Sequence, residues 1–184
     1  MSNWSVNKDL WKGNDMFLYL VNLGDNAMTN PSAMTSAQTK VVAYAQSCAL
    51  EINADTLDVT SKLSCRWNAV MPGNGSYSVT SDSLYCKQSV ASANNAYTVD
   101  DLYETMVEGK NIGWIMALDK SVFDDNAECG EIQGPYFGSG ATYYYGEGAI
   151  TSLSINAGNN EIVSSSISIT GSGRPEKGGG PAAA

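Results

Sequence analysis

The stretch Thr151-Ser152-Leu153-Ser154-Ile155-Asn156-Ala157, then Gly158-Asn159-Asn160, then Val163-Ser164-Ser165-Ser166-Ile167-Ser168-Ile169-Thr170 decides the fold of this chain. Thr151, Leu153, Ile155 and Ala157 alternate with Ser152, Ser154 and Asn156. After the break, Val163, Ser165, Ile167 and Ile169 alternate with Ser164, Ser166, Ser168 and Thr170. Successive side chains of a strand point to opposite faces, so a period of two with one hydroxyl-rich side is a half-buried strand. Gly and Asn suit the reversal between the two runs, and together they read as a β-hairpin.

The same pattern recurs elsewhere in the chain. Residues 41–58 place Cys48, Leu50, Ile52 and Ala54 on one side, and Ala49, Glu51, Asn53 and Asp55 on the other. Met16–Val21 is a short apolar run rich in β-formers and reads as a buried strand. Residues 63–71 and 77–85 read as strands separated by a turn at Pro72-Gly73-Asn74-Gly75. Ile112, Trp114, Met116 and Leu118 mark one side of a strand over 111–118. One helix interrupts this series. Val99, Leu102, Tyr103 and Met106 fall at helical spacing behind Thr98. Asp101 completes an acidic variant of the capping box, and Gly109 suits the residue past the end, so the helix runs over about 99–108.

The expected architecture is mainly β: a sandwich or partly closed barrel over residues 16–173 with one flanking α-helix. Residues 1–15 form an N-terminal arm, polar apart from isolated apolar residues that include Trp4 and Trp11. Residues 119–148 read as a loop-rich insertion, and 174–184 as a flexible Gly/Pro/Ala tail.

Composition narrows the function. Nineteen acids against ten bases give 184 residues a net charge of −9 and a pI near 4.3. A protein that grips nucleic acid needs clustered Lys and Arg, which this balance does not provide. Histidine is absent, which removes Ser/His/Asp and Cys/His nucleophilic machinery and His-containing zinc sites. Charged residues are only 16% of the chain, and 22 Ser, 11 Thr and 16 Asn supply the missing polarity. No apolar stretch approaches the roughly 20 residues of a membrane span, and the N-terminal residues lack the apolar core of a secretory signal. Cys48, Cys65, Cys86 and Cys129 contain no Cys-x-x-Cys pair, and without an export signal they read as reduced, mostly buried thiols.

The chemistry-bearing residues have plainer readings. Glu51 and Asp55 share a strand face, as the two carboxylates of a glycoside hydrolase would, but the solvated face of a strand is the plainer reading of them. Asp124, Asp125 and Glu128 would suit calcium, yet the loop lacks the EF-hand register. Gly138-Ser139-Gly140 and Gly171-Ser172-Gly173 are not followed by Lys-Ser/Thr, so they read as loop glycines rather than phosphate loops. Tyr143-Tyr144-Tyr145 would stack sugars or bases, and reads more simply as a strand whose rings alternate between core and interface. No residue is assigned to catalysis, to a cofactor or to a metal.

Several segments resemble the major tail tube proteins of phages of the siphovirus type. They are Trp4 with Lys12-Gly13-Asn14-Asp15-Met16-Phe17-Leu18-Tyr19; Ser47 through Thr56, followed by Thr60-Ser61-Lys62 and Trp67; Tyr77 with Asp82-Ser83-Leu84-Tyr85; and the hairpin from Gly148 to Gly173. The resemblance implies a structural virion protein of the phage tail, assembled in the host's bacterial cytoplasm into stacked hexameric rings. The inner sheets would join into a barrel through which DNA passes without sequence-specific binding. It implies partners in other tail proteins (tape measure, tail terminator, distal tail) and no cofactor. On this reading Glu51 and Asp55 are candidate lumen-facing acids, and Trp4 and Trp11 candidate anchors on a neighbouring subunit. The segment holding Asp58, Thr60, Ser61 and Lys62 is the candidate ring-stacking loop. The alternative from a different class is a secreted or surface β-sandwich that binds carbohydrate or protein.

Overall fold

The computed structural model describes residues 13–24, 27–28, 31–34, 38–61, 67–86, 96–124, 132–138 and 141–179. Trp4, Trp11, Lys62, Cys65 and Cys129 lie outside them. In chain order the strands are β1 (Met16–Asn22), β2 (Thr39–Val42), β3 (Ala45–Asp58), β4 (Val70–Leu84) and β5 (Ala96–Tyr97). Helix α1 (Val99–Val107) follows, and then β6 (Asn111–Leu118), β7 (Thr142–Asn156) and β8 (Ser164–Gly179). The two layers expected of a sandwich are one mixed sheet of eight strands in the order β3-β4-β8-β7-β6-β1-β2-β5. All its pairs are antiparallel except the short β2–β5 pair.

The sheet folds over on itself. Tyr77 of β4 packs its ring 5.5 Å from Trp114 of β6, and the Cys48 Sγ of β3 lies 3.8 Å from the Met16 carbonyl of β1. The space enclosed holds Leu18, Leu20, Val79, Ile112, Trp114, Ile150, Ile167 and Ile169, and α1 closes it with Leu102, which is fully buried. The far side of β1, β2 and β6 carries a second cluster of Tyr19, Val21, Val41, Ile115 and Ala117, covered by Leu23, Met28, Met34 and Phe137 from loops. Strands β1 and β6 are therefore apolar on both faces, which is why Asn111–Leu118 has little polar alternation.

Thr98 caps α1 as its spacing requires. Its hydroxyl accepts from the Asp101 N–H, and the Asp101 carboxylate accepts from the Thr98 N–H. Gly109 follows at φ +67°, a conformation costly for any residue with a Cβ.

Several expectations change. Residues 142–148, read as part of the loop-rich insertion over 119–148, open β7. Pro72-Gly73-Asn74-Gly75 is not a turn but lies inside β4, where three residue steps from Gly75 to Pro72 oppose two from Ala54 to Thr56. That bulge absorbs the local punctuation, and a Cβ at Gly73 would sit 3.1 Å from the Asp55 carbonyl. The run 41–58 breaks at Tyr44, whose φ is +51°, into β2 and β3. The flexible tail expected from residue 174 is instead strand as far as Gly179, because Glu176, Lys177, Gly178 and Gly179 pair with Tyr145, Tyr144, Tyr143 and Thr142. A Cβ at Gly178 would fall 2.1 Å from the Tyr143 ring, and one at Gly171 equally close to Tyr77. These glycines make room for rings that cross them. Tyr143 and Tyr145 join the second cluster and Tyr144 the first, so the tyrosine run alternates between two apolar layers.

Candidate assembly surface

Strands β3, β4, β8 and β7 align in cross-sheet rows. Toward the core run Cys48, Ser81, Ile167 and Leu153, and then Leu50, Val79, Ile169 and Ile150. The outward face presents Ser47, Asp82, Ser166 and Ser154; then Ala49, Thr80, Ser168 and Ser152; then Glu51, Ser78, Thr170 and Ala149. Eight of these twelve outward side chains are hydroxyls, two are acids, and neither Lys nor Arg is among them. Period-two patterning produces this directly. One residue of each pair is drawn into the core, and Ser or Thr remains on the other side.

Four of the eight hydroxyls bond to one another or to their own sheet. Ser154 and Ser166 meet at 2.8 Å, Thr151 and Thr170 at 3.0 Å, and the Ser47 hydroxyl donates to Asp82 at 2.7 Å. The Asn53 amide donates to Glu51 at 3.2 Å. The fixed charges in these rows are negative, so the face offers an anion no charged donor.

Glu51 and Asp55 are both exposed on β3, Glu51 within the hydroxyl rows and Asp55 beside the bulge. They do not converge on a cleft with another acid in the way paired catalytic carboxylates would. Asp58 and Thr60 stand at the far end of the β3–β4 hairpin and form a local turn. Hydrogen bonds from the Thr60 hydroxyl and then from its N–H, at 2.8 Å, hold the Asp58 carboxyl below the usual range. The Ala69 N–H donates to the Thr60 hydroxyl at 3.0 Å, and Ser61 is exposed next to it.

Sequence reasoning missed the apolar character of this tip. Trp67 is 83% exposed, with Leu57, Val59, Val70 and Met71 exposed around it. The signal was Leu57 and Val59 resuming an apolar alternation one residue out of step with Leu50, Ile52 and Ala54.

A second arrangement, also unforeseen, holds the segment after β6. Asp119 is fully buried, and its carboxylate accepts from the Tyr19 hydroxyl at 2.5 Å, the Ser121 N–H at 2.9 Å, the Gln133 N–H at 3.1 Å and the Gly134 N–H at 2.9 Å. Burial, then the bond to Asp119 and its charge, push the Tyr19 hydroxyl well above the usual tyrosine range. The carboxylate fastens the start and the return of the 119–138 segment to β1. Within the acidic patch, Asp124 accepts from the Gln133 amide at 3.1 Å, while Asp125, Glu128 and Glu131 lie outside the described residues.

Among the described residues, the two margins that flank the hydroxyl face lack strand partners. β3 is the terminal strand on one side. β7 pairs with β6 only as far as Ala149, so Ile150–Asn156 has a partner on the β8 side alone. Unpaired edges of this length invite pairing with another chain. A folded-over sheet with a solvated hydroxyl face between two open edges defines a self-assembling structural β protein. The chain belongs to the phage tail tube protein family, whose model matches residues 11–177. It is a structural component of a phage tail. Among solved structures it is similar to a chain in the tail of an empty gene transfer agent particle, refined with C6 symmetry. That match is at 16% identity with TM-score 0.59, over 91% of this chain and 98% of that one. A chain of the native gene transfer agent virion matches with the same values. The SPP1 tail tube matches at 15% identity with TM-score 0.57, over 91% of this chain and 78% of that one. No curated protein matches the sequence.

Proposed function

We propose that the protein forms hexameric rings that stack into the tail tube, with the β3-β4-β8-β7 face lining the bore. The observation that carries this reading is the row structure of that face: eight hydroxyls, two acids and no cation, between two open edges. Joining β3 of one copy to the Ile150–Asn156 edge of the next completes both edges and closes the sheet into a barrel. A bore lined by acids repels phosphate, and neutral hydroxyls without a cation among them give passing DNA no charged group to hold. Glu51 lies in these rows, and Asp55 extends the same strand toward the hairpin tip. Trp4 and Trp11 anchor the N-terminal arm on a neighbour. The tip with Asp58, Thr60, Ser61 and Lys62 contacts the adjacent ring. The role is structural rather than enzymatic and uses no cofactor. The tape measure, tail terminator and distal tail proteins are its partners in the virion.

Negative-stain microscopy of the purified protein tests this. Rings or tubes with sixfold end views are expected, and a protein that stays monomeric at high concentration overturns the reading.

A further inference from the structure

The β3–β4 hairpin carries an apolar knob at its tip and a cleft at its root. At the tip, Trp67 is 83% exposed beside the cross-strand partners Leu57 and Met71. An indole so exposed leaves a large apolar area in water. At the root, β4 and β8 part company. They pair from Ser78 with Thr170 to Leu84 with Ser164, whereas Val70–Gly75 pairs only with β3, and Ser172–Gly179 only with β7. The wedge between them is an open cleft of about 410 Å³, lined by Ile52, Gly75, Ser76, Tyr77, Arg174 and Pro175. Its walls are mostly apolar, two free strand edges supply carbonyl acceptors, and Arg174 makes no ion pair among the described residues.

We propose that this cleft receives Trp67 of a second copy, so that the tip of one hairpin docks at the root of the next. The inference rests on the tube reading and names the contact that stacks its rings. A flat ring with one N–H donor fits a cleft of apolar walls and unpaired carbonyls, and a guanidinium on the wall adds a cation–π contact. Charge points the same way. Asp58, whose cross-strand partner Val70 is three residues from Trp67, carries the charge opposite to that of Arg174 on the cleft wall. The partners cannot meet within one copy, because six strand residues, about 20 Å, separate Ile52 from Asp58. A knob and a hole at opposite ends of one element make a head-to-tail contact that does not close on itself, which is the symmetry of a filament.

The test compares wild type, Trp67→Ala and the cleft-filling Gly75→Trp by negative-stain microscopy and sedimentation velocity, with thermal melts to check the fold. Both variants are expected to melt like the wild type and to form rings whose stacks are at least tenfold shorter. Benzoylphenylalanine in place of Trp67 should crosslink, in tubes, to peptides containing residues 75–77 or 174–175 of another copy. Wild-type tubes alongside Trp67→Ala tubes of normal length overturn this contact alone. So does a crosslink confined to one copy, or one that maps elsewhere, including a cleft filled by the N-terminal arm. A wild type that forms neither rings nor tubes overturns the tube reading, and the contact with it.

Discussion

At the scale of single residues, the tyrosine rings that lie across glycines dominate. Tyr77 rests over Gly171, its hydroxyl donates to the Glu147 carbonyl with the Ser172 carbonyl 3.3 Å away, and its ring edge meets Trp114. Replacing Gly171 by Ala puts a methyl 2.1 Å from the Tyr77 Cζ, so one of them must move. Overpacking of this kind costs about 1–3 kcal/mol. The expected result is a urea midpoint lowered accordingly in G171A. In a Y77A background the further loss from G171A is expected to be close to zero, because the ring is gone. A full penalty in that background would place the strain elsewhere. Asp119 shows the opposite economy of space: one carboxylate takes four donors from three segments. Only the bond from Ser121 is local; the other donors come from residues 14 and 15 positions away and from Tyr19, a hundred residues upstream, so the sequence around Asp119 does not signal them.

At the scale of elements, the helix shows how far local signals reach. Thr98 and Asp101 form both halves of the capping box, and α1 then drives Leu102 into the core. Thr98→Ala should lower the unfolding free energy by about 1 kcal/mol, read by urea titration, with the slope unchanged. The capping box, the helix and the 151–170 hairpin were legible because their determinants lie within a few residues. The central bulge of β4 was not, since Pro72-Gly73-Asn74-Gly75 has the local chemistry of a turn and only pairing with Ala54 and Thr56 extends it. The strand beyond Gly173 was hidden for a related reason. Gly178 reads as linker until Tyr143 is known to lie across it. The hydroxyl face followed from the serine alternation in β8, but which strands flank it depended on the order β3-β4-β8-β7, set by contacts remote in sequence.

At the scale of the whole molecule, the proposed function gives one face to passage and the edges to holding. Repulsion by a single exposed acid is small beyond about 8 Å at physiological salt, but rings of acids along a bore with low-dielectric walls sum their fields. Glu51→Lys with Asp55→Lys should leave tubes intact by microscopy and slow or stall DNA ejection. Normal ejection through fully assembled variant tubes would show that these acids do not govern passage. The parting of β4 from β8 has a mechanical corollary. Beyond Ser78 the hairpin is a cantilever, braced along one line and, within one copy, free on both sides for eight residues of β4. A tube of rings linked by such arms can bend. On the outer side of a curve each arm swings about its root and spans the widened gap, while the hydrogen-bonded wall of every ring keeps its register. Flexural compliance is then set at the joints between rings, and the bore keeps its width as the tail curves.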